Sequence, residues 1–368
     1  MPKQDAALAR AERFGERLGI RVPILLAPMA GACPPSLSIA VAAAGGLGAC
    51  GALLFAPDAI RAWAAEVRAG TDGPFQMNLW VPDPPPPARD LSHEARLRAF
   101  LGRWGPEVPA TAGDAVPPSF AAQREALLEV GAPVVSSIMG LYPPDFVARL
   151  KARGILWFAN VTTVAEARAA EAAGADAIVA QGMEAGGHRG CFDAGKAEAE
   201  MVGLFALIPA VVDAVRLPVV ATGGIADARG VAAALVLGAS AVQVGTGFLR
   251  CPEARLHPAW ADALGRTPPE GTIVSRVFSG RAGRSVATAY VRAATAADAP
   301  TPAPYPVQRG LTQAMREAAL RAGDVDRMQA WAGQSAALAR AEPAAAVLRA
   351  LWEGARALLG PTAGERSG

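Results

Sequence analysis

The sequence predicts an α/β fold: a (β/α)8 TIM barrel carrying a mainly helical second domain. Three observations lead there. Short, almost continuously apolar segments recur through the N-terminal two-thirds of the chain, as strands of a parallel sheet covered on both faces must. Helical segments with their own start and stop signals separate them. The alternation occupies roughly 250 residues, the usual span of such a barrel. An open doubly wound sheet is the competing architecture. It favours a G-x-G-x-x-G turn after the first strand, and this chain has APMAGACPP there.

Eight strands are expected in order: PILLAPMA (23–30), GLGACGA (46–52), FQMNLWV (75–81), VVSSI (134–138), LWFANV (156–161), AIVAQG (177–182), PVVATGGI (218–225) and AVQVGTGFL (241–249). Between them, Thr163-Val-Ala-Glu166 reads as a capping box opening a helix that Gly174 closes. Asp227 caps the next helix, which ends at Gly238. GADAIVAQG (174–182) and GASAVQVGT (238–246) repeat one unit of helix end, link, strand and small polar residues. The polyproline stretch PDPPPPARD (82–90) opens an insertion reaching about residue 130, on the face where barrel loops carry function. The barrel then takes residues 1–250, a mainly helical cap 251–329, and a C-terminal helical segment 330–368 returning to the barrel wall. In that last segment SAALARAEPAAAVLRALWEGARALL is interrupted at Pro343.

Composition narrows the function. The 368 residues are 52% hydrophobic and 18% charged, with a formal net charge of +2 and no runs of Lys or Arg, which argues against nucleic acid. The four cysteines have no zinc spacing and read as reduced thiols of a cytoplasmic protein. The charged N-terminus has no apolar signal core. Two uncharged runs, 22–57 and 231–249, are broken by Pro34, Pro35 and glycines, so each reads as a buried helix and strand rather than a membrane span.

In such a barrel the active site lies at the C-terminal strand ends. Those ends offer Ala27-Pro28-Met29-Ala30-Gly31, Asn78, Ser136-Ser137, Asn160, Gln181-Gly182, Thr222-Gly223-Gly224 and Gln243-Val244-Gly245-Thr246. They are small, uncharged and rich in hydrogen-bonding groups, with no metal-ligand cluster and no Ser-His-Asp set. A flat, polar-edged ligand with a phosphate suits them. Gly223-Gly224 and Gly245-Thr246 follow the seventh and eighth strands, where barrels of this class often hold phosphate on backbone N–H groups. His188 follows the sixth strand by six residues, behind Gly186-Gly187, which clear space beside its ring. It is the candidate proton acceptor or donor. Glu184 either orients that loop or faces water. His93 and His257 read as ordinary exposed groups.

At this point the chain resembles the nitronate monooxygenase family, formerly called 2-nitropropane dioxygenases. The resemblance rests on Ala27-Pro28-Met29-Ala30-Gly31, QGMEAGGHRG (181–190), ATGGI (221–225), QVGTGF (243–248), SGRAGR (279–284), Tyr305-Pro306-Val307-Gln308 and WAGQS (331–335). It implies a barrel that binds FMN non-covalently beneath a helical second domain. Carried over by motif, Ala27, Pro28, Met29 and Asn78 would lie along the isoalloxazine, with Gln181, Gly186 and Gly187 nearby. Gly223, Gly224, Gln243, Val244, Gly245 and Thr246 would hold the phosphate. Gly333, Gln334 and Ser335 would approach from the C-terminal side, and His188 would be catalytic.

The activity so implied is oxidation of alkyl nitronates, and of nitroalkanes after His188 removes the α-proton, by dioxygen to a carbonyl compound and nitrite or related nitrogen oxides. The alternative is an NAD(P)H-dependent FMN reductase acting on a quinone or an enoyl thioester, because related enoyl reductases share the Gly-Gly-His element. A barrel that has lost flavin chemistry would show damaged glycine loops or a missing histidine, and here all are intact. The chain departs from the family after the fourth strand, where VVSSIMGLYPP replaces a VSF-x-FG pattern and puts Ser137 and Met139 at aromatic positions, and at Ala282, where proline is frequent.

Overall fold

The computed structural model describes residues 3–84 and 88–360; the centre of the polyproline stretch (85–87) and the tail 361–368 lie outside it. All eight expected strands form: β1 (Ile24–Leu26), β2 (Gly48–Gly51), β3 (Phe75–Trp80), β4 (Val134–Ile138), β5 (Leu156–Val161), β6 (Ala177–Gln181), then β8 (Val219–Thr222) and β9 (Ala241–Val244), with the two-residue β7 (Gly187–His188) between them. The eight run parallel in the order β1-β9-β8-β6-β5-β4-β3-β2, and a bridge from Leu25 to Leu47 brings the sheet round into a barrel. The first and last strands are shorter than their apolar runs, because Pro28 has no N–H to extend the ladder and the chain turns into a 3-10 helix at Thr246–Phe248.

Alternation along each strand sorts the core. Leu25, Val134, Phe158, Val179 and Val220 point into the barrel, where Phe14, Leu18 and Ile20 close its floor. Their neighbours Ile24, Leu26, Val135, Trp157, Ile178 and Val242 point outward against the helices. Phe14 belongs to helix Lys3–Leu18, an element without counterpart among the strand–helix signals. Thr163 and Asp227 cap their helices as expected, accepting the N–H of Glu166 and Gly230. The Glu166 carboxylate passes over Thr163 and accepts instead from Thr162 N–H (2.6 Å) and from Phe192 N–H (2.6 Å). It therefore ties a helix start to the loop after β6.

Residues 91–101 and 120–130 of the expected insertion are helical. The second packs on the barrel, with Ala126 to Leu128 in the outer core. The first joins a separate core: Leu97, Phe100 and Leu101 pack with Val277, Phe278, Tyr290, Val291 and Leu311. Beyond Arg250 the structure is mainly helical but adds β10 (Thr272–Ser275) and β11 (Gly283–Val286), which form an antiparallel sheet that β7 joins. Helix Ala344–Leu359 starts only after Pro343 and buries Val347, Leu348, Leu351 and Trp352 with the residues of helices Pro35–Ala43 and Ala228–Val236. Among the described residues no helix is long and apolar enough to cross a membrane.

Candidate active site

A cavity of about 400 Å³ opens at the C-terminal ends of the strands, roofed by the segments beyond residue 250. Of the residues named from sequence, Ala27, Pro28, Met29, Asn78, Gln181, Gly186, Gly187, His188, Gly223, Gly224, Gln243, Gly245, Thr246, Gly333 and Ser335 line it. Val244 and Gln334 do not. The Val244 side chain belongs to the outward face of β9, packed among the helices. Gln334 touches the site's frame through its backbone N–H, which donates to Glu184 O (2.9 Å).

His188 sits on a loop held from several directions. From inside the barrel, Gln181 donates to His188 O (3.1 Å) and accepts from Gly190 N–H (2.7 Å), clamping the loop on both sides of Arg189. The buried Arg189 donates to Gln181 O (2.7 Å) and Glu200 O (3.0 Å). Arg284 donates to Met183 O and Arg281 to Cys191 O. Glu184 proves to orient the loop: its carboxylate accepts the first free N–H of helix Leu204–Ala214. β7 then pairs His188 with Gly283 of β11. With this many anchors the imidazole has a fixed position relative to the barrel, which sharpens any proton transfer it makes.

The ring is half-buried, with Trp80 edge-on (centroids 4.9 Å) and Trp331 tilted beside it (5.0 Å). Tyr305 stacks on the far side of Trp80 at 4.8 Å. His188 Nε2 meets Ser279 Oγ at 2.8 Å. Burial first, and then the positive charges of Arg281 and Arg309, pull the His188 pKa down to about 3. The ring is therefore neutral at physiological pH. Arg281 is itself fully buried and paired with Asp83 at 2.6 Å, so the loop after β3 is fastened over the site by the residue that helps discharge the histidine.

Can these walls hold a flat polar ligand with an anionic tail? The test is where the protein leaves polar groups unmet. Asn160 Nδ2 lines the cavity, buried, with no hydrogen-bond partner. Gly223 and Gly224 have φ of +118° and +66°, conformations that side chains resist. Among the described residues neither N–H donates to a protein acceptor. At Gly186 the reason for glycine is closeness: a Cβ would lie 2.5 Å from Gly333 N and 2.9 Å from Thr246 Oγ1. Gly333 N–H donates to Thr246 Oγ1 (3.0 Å), which seats the C-terminal segment against the loop after β9. The residues present fit such a group.

Several residues of the site escaped sequence reasoning: Trp80, Trp331 and Arg309 line the cavity, while Ser279 stands behind His188 and Tyr305 behind Trp80. Trp80 lay inside an expected strand, and Ser279, Tyr305 and Trp331 lay inside recognised motifs without assigned roles. Arg309 had no signal at all. Met139 buries its side chain, lines the cavity and has φ +72°, rare for a residue of its bulk, at the point where the chain departs from the family pattern.

The family model for nitronate monooxygenase matches residues 12–354. A nitronate monooxygenase of Pseudomonas aeruginosa is 42% identical over 347 residues, 93% of this chain and 98% of that protein. One from Paraburkholderia phytofirmans is 40% identical over 91% of this chain and 92% of its own length. Among solved structures, nitroalkane oxidase from Streptomyces ansochromogenes superposes with a TM-score of 0.85 at 35% identity, covering 95% of this chain and all of that one. FabK from Thermotoga maritima gives 0.73 at 29% identity, over 94% and 96%.

Proposed function

The chain belongs to the nitronate monooxygenase family and is an oxidoreductase of that type, and from this premise we propose that it binds FMN and uses dioxygen to oxidise alkyl nitronates, and nitroalkanes after proton abstraction. One observation carries the reading: a fixed, neutral His188 on the wall of a cavity whose floor is cut back to glycine at Gly186, Gly223 and Gly224. FMN, when bound, supplies the electron acceptor, with a carbonyl compound and nitrite or related nitrogen oxides as products. The N–H groups of Gly223 and Gly224, with Gly245 and Thr246, would hold its phosphate. Met29, Asn78, Asn160 and Gln181 would line its ring system.

The protein's share of the chemistry is then orientation and one proton. Ser279 Oγ accepts Arg281 N–H and can donate to Arg281 O, both at 3.3 Å. In that arrangement its remaining partnership with His188 is as acceptor, so we assign the ring proton to Nε2. That leaves Nδ1 with a lone pair to take the α-proton of a neutral nitroalkane. A base of low pKa can do this because the nitro group gains negative charge as the ring gains positive charge, and the pair forms in a desolvated site. A preformed nitronate needs no base, and His188 then only positions it. Trp80 and Trp331 wall the ring from solvent.

Anaerobic mixing of the purified protein with an alkyl nitronate, and separately with NADH and NADPH, tests the reading through the flavin absorbance. Rapid reduction by the nitronate alone is expected. Reduction only by a reduced nicotinamide would make the chain a reductase on a quinone or enoyl thioester and sink the proposal. Flavin released from the protein on denaturation is expected to be FMN.

A further inference from the structure

We infer that Arg309 is the anion-binding residue of the substrate pocket, gripping the two oxygens of the nitronate group; this rests on the function proposed above and assigns a specificity-determining residue to it. Four observations converge. Arg309 lies on the short helix Val307–Leu311, whose other members Val307, Gln308, Gly310 and Leu311 are all buried. That helix is locked: Gln308 donates to Val277 O (2.8 Å) and accepts from Ala303 N–H (3.0 Å), and Gly310 is packed against Ala112 too closely for any side chain. Arg309 is thus the residue the helix presents to the cavity it lines.

Second, its guanidinium has no hydrogen-bond or ion-pair partner among the described residues. Nearby arginines are all engaged: Arg281 with Asp83, Arg284 with Met183 O, and Arg316 with Thr312, Gln329 and the carbonyl of Arg309 itself. Third, Glu317, the carboxylate that also lines the cavity, is turned towards Gln313 and Arg321. Fourth, the Arg309 charge is felt at both His188 and Tyr305, so the cavity wall it lines is within electrostatic reach of the histidine.

An unpaired, half-buried guanidinium is costly to keep. Its planar fork of N–H donors matches a planar group with two oxygens on one atom. A nitronate is such a group and carries a full negative charge, whereas a neutral nitroalkane acquires that charge only as its α-C–H bond breaks. In that step the proton goes to His188 and the C–H electron pair moves into the nitro group. Arg309 therefore acts on the two substrates at different stages. It binds a nitronate in the ground state, and it stabilises the transition state of a nitroalkane.

Arg309→Met separates the stages. KM for a preformed nitronate is expected to rise about 10- to 100-fold with kcat little changed, the worth of a charged hydrogen bond. For a neutral nitroalkane kcat is expected to fall by a similar factor with KM nearly constant. Arg309→Lys, which keeps the charge and loses the fork, should lie between. Nitrate, a planar oxyanion that the enzyme does not oxidise, supplies a second measurement: calorimetric titration of the holoprotein should give a dissociation constant at least about tenfold weaker in Arg309→Met. Unchanged nitronate kinetics and unchanged nitrate binding in Arg309→Met, while the wild type oxidises nitronates, would overturn the inference and spare the functional reading. Arg309-dependent nitrate binding by a protein that oxidises no nitronate would do the reverse.

Discussion

The two ends of the barrel follow opposite rules. At the floor, Phe14, Leu18 and Ile20 meet Leu25, Val134, Phe158 and Val220, every one of them apolar and buried. At the mouth the wall carries groups that, among the described residues, have no protein partner: the buried Asn160 Nδ2, the N–H of buried Gly223 and of exposed Gly224, and the half-buried guanidinium of Arg309. Each buried polar group without a partner costs roughly 1–3 kcal/mol. The apolar floor residues carry no such cost and the mouth gathers several of these groups, while among the described residues single atoms of Gln76, Arg124, Arg250 and Ser275 are unmet outside the cavity wall. Where unmet polar groups converge on one cavity wall, they mark where the free energy is completed by something that binds.

The comparison breaks first at His188. His188→Ala should lower turnover of neutral nitroalkanes by about 10²- to 10⁴-fold, the range for a lost general base. Preformed nitronates should suffer much less, and steady-state rates on both substrates would show it. Equal losses on the two would remove the proton-transfer role. The floor answers differently. Phe14→Ala should cost about 3–5 kcal/mol of unfolding free energy in urea, while kcat/KM and flavin content of the folded protein stay unchanged. Loss of flavin from this variant would mean the two ends are coupled after all. At the mouth, Gly186→Ala should reach both properties. Its new methyl meets backbone at Gly333 rather than a movable side chain, so the C-terminal segment must shift: stability should fall by about 1–3 kcal/mol, and flavin affinity, unlike in Phe14→Ala, should fall by about tenfold or more. Fluorescence titration with FMN measures it.

The sequence disclosed the barrel because its signals are local. A buried parallel strand is apolar for four to six residues, and the Thr163 and Asp227 caps announce their helices within one turn. The same locality explains what stayed hidden. β7 is two residues long and exists because Gly283, far along the chain, pairs with His188. Ser279 reaches His188 across 91 positions, a distance over which no periodicity operates. Glu184 could be placed only once the start of helix Leu204–Ala214 lay beside it. The glycine loops and the histidine were legible as a set through their places at the sixth, seventh and eighth strand ends. Arg309 was not, since a single arginine in an Arg-rich segment looks like any solvated charge until its partners are sought and not found.

The smallest expected effect concerns pH. Burial, Arg281 and Arg309 together hold the His188 pKa at about 3, below its ordinary value of 6.5. A lowered pKa means the ring stays deprotonated, and competent as a base, through the whole range in which the protein is handled. For a nitroalkane kept below its own pKa, kcat/KM should therefore be flat from about pH 8 to 5, falling only as the pH approaches 3. An ordinary histidine would lose about tenfold per unit below 6.5. The same shift sets a linkage of definite sign. The unfolded chain takes up a proton at this site below about 6.5 and the folded one does not, so the contribution of His188 to stability is whole above that pH and drains away towards 3. Arg309→Met removes one of the two charges, so its acid limb should move up towards neutrality. A wild-type profile already falling near pH 6.5 would show that the cavity wall is wetter, and the mouth less distinct from solvent, than its geometry implies.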